Sequence, residues 1–455
     1  MSEFARVDPG TGAHVQGFAS AEPDAIEAGL DRAHHAFHSW SRLPLEQRAV
    51  PLRRLADLLD ARAESLAGLM ADEMGKPFAQ GVGEAKKCAW ACRYAADLAP
   101  TWLAPEPATT EARETFIRYE PLGVVLAIMP WNFPLWQLFR FGASAVIAGN
   151  TIVLKHAPNV PGCAAAIEDL FRDAGFPDGV LVNLFAPLAS VPSLIADHRI
   201  AAVTLTGSTR AGEAVGAAAG KALKPAVLEL GGSDAFIVLP DADVDKAAAV
   251  AAKARLQNNG QSCIAAKRFI VCAAVADRFT AAFRAHLAAA KIGPARDPST
   301  DIGPMARGDL RDELHRQVVG SIERGATCVL GGEPVAGPGF FYPPTLLTNV
   351  LPGQPAWDEE LFGPVAALRV VADVDAAIAA ANHSQYGLGV SLWTEDREAV
   401  KALVPRLDGG AIFVNELVKS DPRVPFGGTK RSGYGRELGR DGMRAFTIIK
   451  TVWIA

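Results

Sequence analysis

The chain opens MSEFARVDPGTG, with no basic stretch leading into an apolar core, and nowhere runs to about 20 uninterrupted apolar residues. The first absence argues against a secretory leader and the second against a membrane helix, so a cytoplasmic location is expected. Six cysteines in 455 residues are too few for a disulfide framework in a chain of this size. An excess of one charge is also missing. Lys and Arg number 45 against 50 Asp and Glu, a net −5, which offers no general affinity for nucleic acid or an anionic membrane. There is no internal repeat, no long linker and no G-x-G-x-x-G placed between a strand and a helix.

What is present is a globular composition, 49% hydrophobic and 21% charged, long enough for two or three domains. Residues 24–98 carry apolar positions at helical spacing, until Pro105 and Pro107 break the pattern. From there the text changes. GVVLAIM (123–129), TIVLK (151–155), AVTLTG (202–207), AVLEL (226–230) and AFIVL (235–239) are short, apolar and rich in β-branched residues. Helical stretches separate them. Buried strands alternating with helices predict an α/β fold with a largely parallel sheet covered on both faces. Further alternation follows: strand 268–272, helices 277–290, 305–324 and 373–382, strands 388–393 and 411–414. That suffices for a second α/β domain. The terminal AFTIIKTVWIA is β-prone and would be an aggregation hazard as a bare edge, so it should pair with another strand, in this chain or in a partner subunit.

Five segments could carry chemistry. GQSCIAAKR (260–268) can present the sulfur of Cys263 to a cleft, although a lone Cys is more often a small buried hydrophobe. LELGGSDAF (228–236) sets Glu229 at the end of an apolar strand, where burial raises a carboxyl pKa and suits it to act as a base near neutrality. In MPWNFPLWQLFR (129–140), Asn132 sits among bulky neighbours as a fixed amide donor for a developing oxyanion. LTGSTRAG (205–212) brings Gly207, Ser208 and Gly212 into a strand-to-helix turn that could receive a pyrophosphate. EELFGPV (359–365) offers Glu360 for sugar hydroxyls and Phe362 for a flat ring. Alone, Glu229 divides evenly between the two readings, and the other four segments read more readily as ordinary structure.

Taken together and in order, Asn132, Lys155, Gly207, Glu229, Cys263 and Glu360 resemble the aldehyde dehydrogenase superfamily, and the resemblance runs on to PFGGTKRSGYGRE (425–437). It implies that Cys263 attacks an aldehyde, that Asn132 and the Cys263 backbone N–H hold the oxyanion, and that Glu229 activates water to hydrolyse the thioester. It implies NAD or NADP as cofactor and no metal. Lys155 would bond the adenosine ribose, Ser208 the pyrophosphate and Glu360 the nicotinamide ribose, with Trp131, Leu230 and Phe362 nearby. Where NAD-preferring members carry a Glu three residues after the lysine, this chain has Pro158. A 2′-phosphate is then not repelled, and dual use of NAD and NADP is expected. Ala265 stands where some relatives have a second Cys, so no disulfide lock on the nucleophile is expected.

Within the family, PWNFPLWQLFR, LKHAPN and QNNGQSC look most like bacterial succinate-semialdehyde dehydrogenases. By that resemblance Arg140 would clamp the substrate carboxylate and Ser420 would assist. Gln257 stands where related enzymes have a second Arg. Glutarate semialdehyde or an aliphatic aldehyde is the alternative substrate, and a catalytically dead binding or structural member is the remote one. The implied architecture is an aldehyde dehydrogenase fold: a Rossmann-like NAD(P)-binding domain (1–102 and 122–231), a catalytic domain (232–438) and a small β oligomerisation element (103–121 and 439–455), assembled as a homodimer or homotetramer.

Overall fold

A computed structural model describes residues 3–455. The helical periodicity near the start becomes four helices, Pro23–Trp40, Leu45–Ala61, Ala63–Met74 and Phe78–Trp102. The fourth ends just ahead of Pro105 and Pro107. Among the described residues no helix is long and apolar enough to cross a membrane.

The first four of the apolar runs that follow fall in one sheet. Val124–Met129 lies inside it, with Thr151–His156 and then Leu181–Asn183 on one side, and Ile200–Thr206 and then Ala226–Glu229 on the other. All four pairings are parallel. Such strands are buried on both faces, which is why they read as unbroken Val, Ile and Leu. The short strand Gly433–Tyr434 returns from far along the chain to pair antiparallel with Ala226–Glu229.

A second sheet of seven strands has Ala235–Val238, Arg268–Cys272 and Val365–Val371 side by side and parallel. Gly389–Trp393 and Ala411–Val414 extend it one way. Thr345–Thr348 and the antiparallel edge Thr327–Leu330 extend it the other. Packed aromatics on one face, Phe236, Phe269, Phe279, Phe283 and Trp393, give this half its own core. A third sheet is made by the terminal strand Thr447–Ile454, which pairs with Glu114–Pro121 of the same chain; Glu106–Pro107 completes it. The terminal strand is an edge, and Ile448, Ile449, Trp453 and Ile454 stay exposed on it.

The first two sheets face each other across a cleft. Three strands of the first deliver their following loops to it: Pro130–Asn132 after Met129, Gly207–Ser208 after Thr206, and Leu230–Gly231 after Glu229. The second sheet contributes loops that precede its strands, with Cys263 ahead of Arg268 and Glu360–Phe362 ahead of Val365. A crevice outside the carboxyl ends of parallel strands is where such folds bind ligands.

The loop before Cys263 depends on Gly260, whose φ is +73° and whose added Cβ would fall on the backbone of Gly363. Positive-φ strain and overpacking then act together. Gly260→Ala is expected to destabilise the fold by about 2–5 kcal/mol, read as a lowered midpoint of thermal unfolding.

Candidate active site

The cleft has a volume of about 250 Å³. Cys263 and Asn132 line the same space as Trp131, Gly207, Ser208, Leu230, Glu360 and Phe362. Trp131 and Phe362 meet edge to face at 5.7 Å between ring centroids, forming an aromatic wall. Ser208 caps the helix Thr209–Lys221, accepting from the Ala211 N–H. The helix begins directly after Gly207 and Ser208, which line the cleft, and a helix N-terminus favours phosphate. Gly231 leaves room for the Glu360 carboxylate, since a Cβ there would stand 2.5 Å from its Oε2. Glu360 is oriented by the Gly232 N–H at 2.9 Å and by Lys267 at 3.6 Å. An aromatic wall, a capped helix end and a fixed carboxylate in one crevice fit a nucleotide with its sugar and phosphates. Gly212 acts through packing: its missing Cβ makes space for the Leu230 methyls.

The loop carrying Cys263 is shaped by amide side chains. Asn258 and Asn259 are left-handed, with φ of 55° and 58°, a conformation Asn tolerates better than most residues. Asn258 Nδ2 donates to the Asn132 carbonyl at 2.7 Å and the Gln261 carbonyl at 2.9 Å. Asn259 bonds the carbonyls of Gly75 and Pro304 and the Gly303 N–H. Lys267 then donates to the carbonyls of Ser262 and Cys263 at 2.8 and 2.6 Å. Asn132 Nδ2 donates to the Gln261 carbonyl at 3.1 Å. A primary amide carries two N–H donors, so one remains for a reacting oxygen.

Burial pushes the Cys263 thiol up to about 11, against the pull of Arg140 and Lys267. Burial likewise raises the Glu229 carboxyl well above the usual carboxylate range; Arg140 opposes this and Glu437 adds to it. Neither Glu229 oxygen has a hydrogen-bond partner in the protein. Glu229 is buried just behind Leu230 and is not one of the residues lining the cleft. Its carboxyl is turned to the Gly427 backbone, where a Cβ would lie 2.8 Å from Oε1.

Other expected residues lie elsewhere. Lys155 and Pro158 sit at and beyond the end of the neighbouring strand. There Lys155 is buried, with Nζ 3.4 Å from the His156 carbonyl, and the Pro158 carbonyl accepts from Ala5. Arg140 does not present a free guanidinium. It is buried, ion-paired through Nε to Glu437, bonded to Thr206 Oγ1 at 3.1 Å and laid over the Phe426 ring. The GRE segment at the chain's end supplies the carboxylate that occupies it. Gln257 lines a separate depression with Gln80, Lys253 and His286, and its amide bonds the Ala254 carbonyl. The left-handed residues 258–260 lie between it and Cys263. Ser420 is buried outside the cleft lining, its Oγ accepting from Lys87 and Trp136.

Sequence reasoning missed the supports. Glu84, on the helix Phe78–Trp102, accepts from the N–H groups of Leu135 and Trp136 at 2.9 Å each and pairs with Lys76. It braces the turn that carries Asn132. Nothing local in FAQGVGEAKKCAW marks it, because its partners lie some 50 residues away.

The chain is similar in sequence and fold to known proteins. The chain is 50% identical over 452 residues to a probable succinate-semialdehyde dehydrogenase [NADP(+)] of Synechocystis, covering 99% of this chain and 100% of that one. It is 48% identical over 447 residues to the Escherichia coli K12 succinate semialdehyde dehydrogenase [NAD(P)+] Sad, covering 98% and 97%. Among solved structures, succinic semialdehyde dehydrogenase from Streptococcus pyogenes in complex with NADP+ superposes with a TM-score of 0.97 at 36% identity over 99% of both chains. Residues 1–452 match the aldehyde dehydrogenase family, and the chain is a member of that family.

Proposed function

We propose that this enzyme oxidises succinic semialdehyde to succinate with NADP or NAD as acceptor. The observation that carries the chemistry is Cys263 and the Asn132 amide in one crevice, with the buried, unpartnered Glu229 one residue before its lining Leu230. The substrate is supported by the relatives' names. The cofactor is supported by those names and by Pro158, which puts no carboxylate where it would repel a 2′-phosphate.

The sulfur of Cys263 bonds to the aldehyde carbon, and the carbonyl π pair moves onto oxygen. The remaining Asn132 N–H and the Cys263 backbone N–H stabilise that oxyanion. Trp131, Phe362 and Glu360 would hold a nicotinamide and its ribose, and Ser208 the pyrophosphate; that group, when bound, would accept the hydride that leaves this carbon. A thioester on Cys263 remains. Glu229 takes a proton from water, whose oxygen attacks the thioester; the sulfur departs and the acid is released. Because Glu229 is turned to Gly427, it acts after a side-chain rotation toward the cleft. With a protonated thiol at neutral pH, Glu229 also takes the first proton, and passes it to solvent before it serves the hydrolytic water.

We propose further that Lys155 and Pro158 flank the adenosine end, that the first sheet forms the NAD(P)-binding domain, and that the exposed terminal strand joins copies of the chain into a homodimer or homotetramer. Its free edge and exposed Ile449 and Trp453 are what a strand-mediated contact would cover.

Three outcomes check this reading. Wild-type enzyme turns over succinic semialdehyde at least about tenfold better in kcat/KM than butanal, with both cofactors; equal turnover overturns the substrate assignment. Glu229→Gln keeps a burst of one reduced cofactor per site while kcat falls by about 10²–10⁴, as stopped-flow absorbance would show. Alkylation of Cys263 without substrate, followed by peptide mass spectrometry, quickens by about tenfold per pH unit from pH 7 to 10. The reactive form is the thiolate, and its pKa of about 11 leaves it scarce throughout that range. A plateau by pH 8 would contradict this.

A further inference from the structure

We propose that Lys87 is the cation that reads the far carboxylate of the substrate, the part Arg140 cannot play while paired with Glu437. This rests on the semialdehyde reading above. Four cations surround the segment from Asn132 to Arg140. Lys76 is paired with Glu84, Arg140 with Glu437 and Lys267 with Glu360. Lys87 has no carboxylate partner among the described residues. Its Nζ donates to Ser420 Oγ at 2.8 Å and stands 4.2 Å from the centre of the Trp136 ring.

The position follows from the helix Phe78–Trp102. Glu84 and Lys87 are three residues apart and share a face. Glu84 clamps that face to the N–H groups of Leu135 and Trp136, so Lys87 lies one turn along, beside the start of the helix that follows Asn132. Trp136, whose ring lies under Lys87, opens the helix that begins four residues after Asn132, so the cluster lies one turn beyond the amide donor. Ser420 completes the set. A hydroxyl has two acceptor lone pairs and one donor. Lys87 and Trp136 Nε1 both donate to its oxygen, so its own hydrogen is left to give. Lys87 keeps two further N–H donors. Glu84 and Asp421 act on Lys87 from beyond bonding distance, and no carboxylate is ion-paired with it, so the cluster is a cation and a hydroxyl with spare donors, floored by an indole ring, which suits a carboxylate. Burial, helped by Arg140 and opposed by Cys88, Glu84 and Asp421, lowers the Lys87 pKa to about 8, so an arriving anion would restore its charge.

The test is steady-state kinetics of Lys87→Met and Lys87→Arg with succinic semialdehyde and butanal. Lys87→Met should raise KM for succinic semialdehyde by about 10–100-fold, the loss of one charge-assisted hydrogen bond, while kcat/KM for butanal changes less than about twofold; Lys87→Arg should recover part of the loss. KM of the wild type for the acid-bearing substrate should climb as pH rises through about 8, with no such climb for butanal, and this needs no variant. If wild type prefers succinic semialdehyde but Lys87→Met keeps that preference, or if wild-type KM is flat across this range, Lys87 is not the reader and the substrate assignment stands. If wild type shows no preference, the substrate assignment itself falls.

Discussion

One side-chain amide ties the two halves of this enzyme together. Asn258 Nδ2 reaches both the Asn132 carbonyl, on a loop of the first sheet, and the Gln261 carbonyl, on the loop leading to the second. Asn132 answers by donating to the same Gln261 carbonyl. The oxyanion donor and the nucleophile are therefore set by one small knot of buried hydrogen bonds, each worth more where water is excluded. The knot needs Asn258 and Asn259 in the left-handed region and a glycine at 260 that can lie against Gly363. A scaffold that fixes reacting groups in this way lowers the entropy that must be lost at the moment of reaction.

Charge is managed around that knot by pairing. Lys76, Lys267 and Arg140 are all buried and each meets a carboxylate, as burial of a charge requires. Two of those cations also act on the nucleophile: Arg140 and Lys267 both hold the Cys263 pKa down against burial. The Glu229 carboxyl is the exception. It is buried, lacks a hydrogen-bond partner and is held toward its neutral form. Such a group is costly to the fold, and strain of that kind gathers where a function uses it.

Much of the fold was legible because parallel strands buried on both faces write themselves as short apolar runs; Val124–Met129 and Arg268–Cys272 are the clearest. Val365–Val371 was passed over because its alanines carry no β signal, and Thr327–Leu330 because an edge strand with half-exposed residues has no strong alternation. In the site, contiguous segments were legible. The loops after Met129, Thr206 and Glu229 each deliver neighbouring residues to one crevice. Gln257 lines a different depression from Cys263, with three consecutive positive-φ residues, Asn258 to Gly260, between it and the nucleophile loop. Glu84 and Lys87 were invisible because a helix surface gives no hint of what packs on it.

The asymmetry has a consequence for how this enzyme chooses its substrate. The groups that handle the reacting carbon and the nucleotide come from loops at strand ends, where a change of one residue alters the chemistry. The groups around Ser420, Trp136 and Lys87 come from two helices and a distant loop, joined by hydrogen bonds that leave the Asn132–Asn258 knot untouched. Lys87 can lose its charge without moving Glu84, because Glu84 has its own cation in Lys76. Recognition of the far end of the aldehyde is in this way separable from catalysis at the near end, and a substitution on the helix Phe78–Trp102 can change which aldehyde is bound while the thiol, amide and carboxyl groups stay where they are.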